Sequence, residues 1–163
     1  MKLALTGHHP QRLGYNENIN HPDWYPVIDW MKEQIVSNEA TDVYSGMASG
    51  CDMAFAIAAI KLKQYGYDVK LHCILPCKNY NSSEEMYYYI KNRADEWVEL
   101  ADEFYKGCDN VRDQYMVDHC DKLMAVWDGA KSGGVWSTIR KAQNQGKDVI
   151  YYQEVLSKNE KNN

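Results

Sequence analysis

DVYSGMASGCDMAFAIAAIKLKQYG, residues 42–66, holds a strand, a turn and a helix in one uninterrupted run. Asp42, Val43 and Tyr44 form the core of a short strand. Gly46 and Gly50 bracket a tight turn. Residues 51–65 are rich in Ala, Ile and Leu and stop at Gly66, the usual residue just past a helix end. A strand leading through a short turn into a helix is the repeating unit of a parallel sheet.

The same alternation extends outward on both sides. Upstream, residues 2–6 read as a strand and 7–22 as a polar loop. A helix begins near Asp23, which can cap it; Pro26 is tolerated in the first turn, and Val27, Trp30, Met31 and Ile35 share one face. Downstream, residues 69–75 read as a strand ended by Pro76, and Ser82-Ser83-Glu84-Glu85 as a capping box that opens a helix running to about Asn92. A fourth strand falls at 97–100 or at 103–105. Asn110 caps a helix ending at His119, 122–127 is a strand, 133–145 a helix closed by Gly146, and 148–152 the last strand. This order predicts an α/β fold of Rossmann-like, doubly wound type, a mainly parallel sheet with helices on both faces. No repeat or linker interrupts it, so residues 1–156 are expected to form one domain and the polar residues 157–163 a disordered tail.

The 163 residues carry a formal net charge of −5 and no Lys/Arg cluster along the sequence that offsets it, which excludes the basic face of a duplex nucleic-acid binder. A compact anion can still be held locally by backbone N–H groups. The aromatics needed to stack a single strand are present, but its basic groove is not, so that reading ranks last. No apolar run approaches the roughly 20 residues of a membrane span. The cysteines Cys51, Cys73, Cys77, Cys108 and Cys120 are odd in number and follow no signal peptide. A reduced, cytoplasmic protein with no disulfide framework is therefore expected. Cys73 and Cys77 lack the second pair that a zinc site needs. His8, His9 and His21 lack a Cys or carboxylate partner at matching spacing, so no metal and no cofactor are expected.

Ligands of open α/β sheets bind beyond the carboxyl ends of the strands. There this chain places Thr6-Gly7-His8-His9-Pro10-Gln11-Arg12, then Ser45-Gly46-Met47-Ala48-Ser49-Gly50, and then Asp128-Gly129-Ala130-Lys131-Ser132-Gly133-Gly134. Gly133 and Gly134 lead into Val135-Trp136-Ser137-Thr138 at a helix start, where unpaired N–H groups and the helix dipole suit a phosphate and the two hydroxyls can donate. The alternative is a tight turn and nothing more. Gly46 and Gly50 flank a second such start, where Asp52 either satisfies the dipole or accepts from a ribose hydroxyl. Of His8 and His9, adjacent in an extended segment, at most one is expected to face the pocket. Arg12 and Arg112 can grip a phosphate with two parallel bonds, or can form surface ion pairs. Asp113 can offset the helix dipole beside Arg112, leaving that guanidinium free for a ligand anion. Trp127, Trp136 and Tyr15 are placed to stack a base. The Tyr87-Tyr88-Tyr89 run suits core or an interface, and a homo-oligomer is the expected assembly.

Leu5-Thr6-Gly7-His8-His9-Pro10-Gln11-Arg12-Leu13-Gly14-Tyr15-Asn16 resembles the TGHRPxKLGGYN opening of the YpsA-like proteins of the SLOG superfamily. Residues 45–52 resemble their SGMAxGxD segment, 112–118 their RNxxMVD, and 125–129 with 132–138 their AVWDG and GGTxNT. The resemblance, over roughly residues 1–152, implies a pocket for nucleotides or ADP-ribose-like ligands. Its expected ligand-binding residues are Thr6, Gly7, His8, His9 and Arg12, then Ser45, Gly46, Met47, Gly50 and Asp52, then Pro76, Arg112, Trp127 and Asp128, and finally Gly133, Gly134, Val135, Ser137 and Thr138. His9, Asp113 and Val135 depart from the family pattern, as does the stretch Pro76-Cys77-Lys78-Asn79-Tyr80-Asn81. SLOG relatives include antiviral signal sensors, DNA-processing proteins and cytokinin-activating phosphoribohydrolases, and the resemblance does not choose among them. The expected role is capture of a nucleotide-derived small molecule without catalysis. The alternative is a phosphoribohydrolase-like enzyme, in which Asp52, Asp118 or Asp128 would replace the carboxylate that the helix from Gly133 lacks.

Overall fold

The computed structural model describes residues 1–156; the tail expected at 157–163 lies outside the described residues. Six strands are seen among them: β1 (Lys2–Gly7), β2 (Asp42–Ser45), β3 (Lys70–Leu75), β4 (Glu96–Glu99), β5 (Lys122–Val126) and β6 (Asp148–Tyr151). They pair in parallel throughout, in the order β4-β3-β2-β1-β5-β6. The chain therefore moves outward from β1 to β4, then returns to the far side of β1 for β5. The strand order reverses between β1 and β5, where an α/β sheet opens its binding crevice.

Helices α1 (Pro10–Leu13), α2 (Tyr25–Ser37), α3 (Cys51–Gln64), α4 (Tyr87–Lys91), α5 (Cys108–His119) and α6 (Gly133–Asn144) complete the doubly wound arrangement. Strand alternation divides the core. Leu3, Leu5, Val43 and Leu71 face Met31, Ile35, Phe55 and Ile57 of α2 and α3, whereas Ala4, Tyr44, Leu123 and Ala125 face Met116, Val117, Ile139 and Ala142 of α5 and α6. Helix α3 is buried on all sides from Cys51 to Ile60, as its uniformly apolar sequence requires. Its start presses on the end of β1: a Cβ at Gly7 would lie 2.5 Å from the Cβ of Cys51. Gly7 thus permits a close strand–helix approach. Among the described residues no helix is long and apolar enough to cross a membrane.

Local signals failed at three helix starts and were too weak at one strand. The capping box does not form: neither Ser82 nor Glu85 makes a side-chain hydrogen bond with a described residue, the neighbouring Glu84 accepts from Ser49 Oγ at 2.5 Å, and the helix is delayed to α4 at Tyr87. Asp23 sits inside a 3₁₀ turn (Pro22–Trp24) whose cap is His21, so α2 begins at Tyr25. Helix α5 starts two residues before Asn110, with Gly107 as its cap. The loop at 7–22 contains α1. The ambiguous fourth strand forms at Glu96–Glu99, the earlier of the two positions.

Candidate functional site

A cleft of about 170 Å³ opens at the carboxyl end of β1. One wall is the segment from Leu5 to His9. A second is Ala48 and Asp52, at the turn into α3. The third is the face of α5 carrying Asp109, Arg112, Asp113 and Met116, with Tyr80 beside it, and the fourth is Gly134 and Val135 at the start of α6.

The two glycine turns differ. The α3 turn is filled from within the protein: Ser45 Oγ donates to the Asp52 carbonyl at 2.6 Å, Asp52 Oδ2 accepts from Ala48 N at 3.2 Å, and Gly50 packs on Pro10 and Trp24. Met47, buried behind the turn, accepts at its carbonyl from Asn81 Nδ2. The α6 turn is open. Its cap Ser132 makes no side-chain bond, and Cβ atoms added at Gly133 or Gly134 would meet nothing within 4 Å. Its first-turn amides are not screened by side chains of their own glycines, the arrangement that favours an approaching anion.

Arg112 is 5 % exposed and is not free. Its Nε donates to Asp113 Oδ1 at 2.6 Å and its Nη1 to the Gly46 carbonyl. Asp113 therefore clamps the guanidinium instead of merely offsetting the dipole. A Cβ at Gly46 would lie 2.8 Å from both Arg112 Nη1 and Asp52 Oδ2, so this residue must be small for the three groups to meet. Burial alone would weaken the guanidinium's hold on its proton, but Asp113 and Asp52 outweigh it and keep the group a cation. Burial pushes Asp52, 6 % exposed, up to about 6; Arg112 opposes the shift and Asp113 adds to it.

His8 and His9 both border the cleft, although one was expected to turn away. His8 is buried, and its Nε2 accepts from Asp128 N at 3.2 Å; burial lowers its pKa, partly offset by Asp128, so the ring is held neutral. Arg12 grips Asp128 through Nε (2.8 Å) and Nη2 (3.3 Å) instead of a ligand. Burial would raise the Asp128 carboxyl, but bonds from Arg12 and Ala130 N, with His8 nearby, hold it below the usual range. Trp127 is buried, donates to the Ala130 carbonyl and stacks on Trp136, and Tyr15 packs edge-on against Trp24. Thr138 Oγ1 donates to the Gly134 carbonyl, and Ser137 accepts from Lys141 on the outer side of α6. Pro76 is buried and does not border the cleft. Thr6, Gly7, Asp52, Arg112, Gly134 and Val135 do.

Asp109, Asp113, Met116, Ala48 and Tyr80 line the cleft without having been singled out as binding residues. Four positions of α5 were legible, since 109, 112, 113 and 116 follow the i, i+3, i+4, i+7 spacing of one helix face. Tyr80 carries no local signal. Among the described residues no three or more His, Cys, Asp and Glu gather to hold a metal ion.

Asp52 yields a pH prediction. Its folded pKa lies above the ordinary 3.8, so its contribution to stability is complete below about 3.8 and is lost as pH rises through about 6. Asp52→Asn keeps an acceptor for Ala48 N but does not ionise. Denaturant titrations at intervals from pH 4 to 7 should show the variant gaining on the parent by up to about 3 kcal/mol as pH rises. A pH-independent gap would refute the assignment.

Comparison with known proteins comes to the same fold. The sequence profile of the YspA SLOG family matches residues 3–160. Two UPF0398 proteins of Bacillus cereus, from strains B4264 and ATCC 14579, are each 22 % identical over 164 aligned positions, covering 92 % of this chain and 86 % of the relative. DNA processing protein A (DprA) of Streptococcus pneumoniae superposes with a TM-score of 0.65 at 16 % identity, over 92 % of this chain and 49 % of that one. The chain thus spans about half the length of DprA, and at this identity the likeness is one of fold.

Proposed function

The chain belongs to the YspA SLOG family, and from that membership and the chemistry of the cleft we propose that it captures a nucleotide-derived small molecule and leaves it unchanged. The observation that carries the reading is the division of the cleft into two kinds of wall. The open amide end of α6, with Gly134 at the cleft, suits a phosphate, and the carboxylates Asp52, Asp109 and Asp113 opposite suit ribose hydroxyls. Arg112 lies on the carboxylate side and stops those charges from repelling the ligand. An ADP-ribose-type signalling nucleotide has both chemical halves. A protein that holds it without turnover would act in the cytoplasm as a sensor or a sequestering sponge, as in contests between phage and host.

A hydrolase reading draws on one observation, the Asp52 carboxyl near pH 6 in the cleft. Such a group could protonate a departing base while another carboxylate steadied positive charge on the ribose. Mass spectrometry of small molecules released by heating the purified protein separates the two. Capture predicts an intact nucleotide, recovered unchanged after prolonged incubation. Free base with ribose 5-phosphate, formed by the parent and not by Asp52→Asn, would establish the hydrolase.

A further inference from the structure

The solvent-facing stripe of α6 forms a second cavity, of about 280 Å³, lined by Gly133, Trp136, Ser137, Arg140, Lys141 and Asn144. It begins at Gly133, next to the Gly134 that borders the cleft. Helix α6 contains no Asp or Glu. Lys141 is held by neutral oxygens, Asn110 Oδ1 at 2.5 Å and Ser137 Oγ at 2.8 Å, so its position is fixed while its charge is not cancelled. Arg140 makes no hydrogen bond or ion pair with any described residue. Lys131, from the preceding loop, places its amine 5.9 Å from the Trp136 ring centroid. Trp136 is itself braced by Trp127, stacked at 5.3 Å and 12°. Arg140 and Lys141 thus share one cavity with Trp136, and Lys131 lies over the same ring, which puts three cations on one surface of a chain of net charge −5.

We infer that this cavity binds a nucleoside phosphate, the base against the Trp136 indole and the phosphate between Arg140 and Lys141. Arg140 and Lys141 line the same cavity, where a guanidinium and an ammonium can share one phosphate's oxygens. Base–indole stacking supplies the attraction that a bare basic patch lacks. The size suits one nucleoside phosphate, being at the small end of ligand pockets. The bound molecule is either a separate nucleotide or the far end of a ligand that reaches over the start of α6 from the cleft. The phosphate-and-base chemistry is the same for both.

The indole N–H signal of Trp136 in the ¹⁵N-labelled full chain reports on this cavity directly, with AMP and adenosine as probes. AMP is expected to shift it saturably, with adenosine at least about tenfold weaker, because the phosphate contacts are missing. The Arg140→Ala/Lys141→Ala double variant should weaken AMP by about tenfold or more. Arg140 is exposed and Lys141 half-buried, and neither carries an ion pair with a described residue, so the fold should tolerate their loss. The same titration on Gly134→Val, which obstructs the cleft, distinguishes the sources. A retained Trp136 response marks a separate nucleotide, and a lost one marks the distal end of a spanning ligand. No Trp136 shift up to about 10 mM AMP, or equal titration of parent and double variant, overturns the inference. Neither result bears on the cleft, which Gly134→Val tests by its own ligand.

Discussion

Arg112→Ala is expected to cost about 3–5 kcal/mol of stability, the range for removing one partner of a buried ion pair. The guanidinium is nine-tenths buried and donates to both Asp113 and the Gly46 carbonyl. Its loss leaves the Asp52 and Asp113 carboxylates facing each other's charge, and a buried carbonyl without its donor. For a chain of this size the melting temperature should fall by roughly 6–20 °C. Two further signatures follow. The defect should shrink as pH falls towards about 6 and level off below it, because without Arg112 the Asp52 carboxyl takes its proton at higher pH than in the parent, which removes one of the uncompensated charges. Arg112→Lys should recover only part of the loss, because an ammonium cannot hold Asp113 and Gly46 from one planar group. Denaturant and thermal unfolding without ligand measure all three. A loss below about 1 kcal/mol, the scale of an exposed pair, would mean that the clamp is not structural.

Gly134→Val should abolish capture with little change in stability. Nothing lies within 4 Å of a Cβ at Gly134, so a side chain has open space at its base and projects into the space before the α6 amides. Valine is also no worse a helix former than glycine. The expected loss of affinity is more than about a hundredfold, equivalent to about 3 kcal/mol, the scale of a lost hydrogen bond to a charged group. Titration calorimetry with ADP-ribose as the probe, beside a melting curve for each protein, separates the two effects. Gly133→Val is a poorer test, because φ is +84° at Gly133 and a side chain there strains the backbone as well. A folded Gly134→Val protein that binds as tightly as its parent would remove the α6 start from the site.

The family motifs lie in loops that border the cleft, but they did not mark which side chains in them are already occupied. Arg12 and Arg112 are the clearest cases. Both have the chemistry to grip an anion, and both grip carboxylates of the protein, Asp128 and Asp113. Lys131, Arg140 and Lys141 are the converse. They looked scattered along the chain and gather on one stretch of surface without a carboxylate partner. Ser82-Ser83-Glu84-Glu85 has the spacing of a capping box, but the helix starts only at Tyr87 and Glu84 is drawn to Ser49, 35 residues away.

The order of strands and helices could be read from the chain alone, because hydrophobic period and glycine stops act over three or four residues. That order made a parallel sheet the expected result, since successive parallel strands need a crossover. The open Gly133-Gly134 helix start was equally legible. Strand neighbours at the crevice, and the partners of each charged side chain there, were decided only by the tertiary structure. Arg112 and Gly46 are 66 residues apart, and Arg12 and Asp128 are 116 apart. Contacts at such separations depend on the return of the chain to the far side of β1, and no local propensity encodes that return.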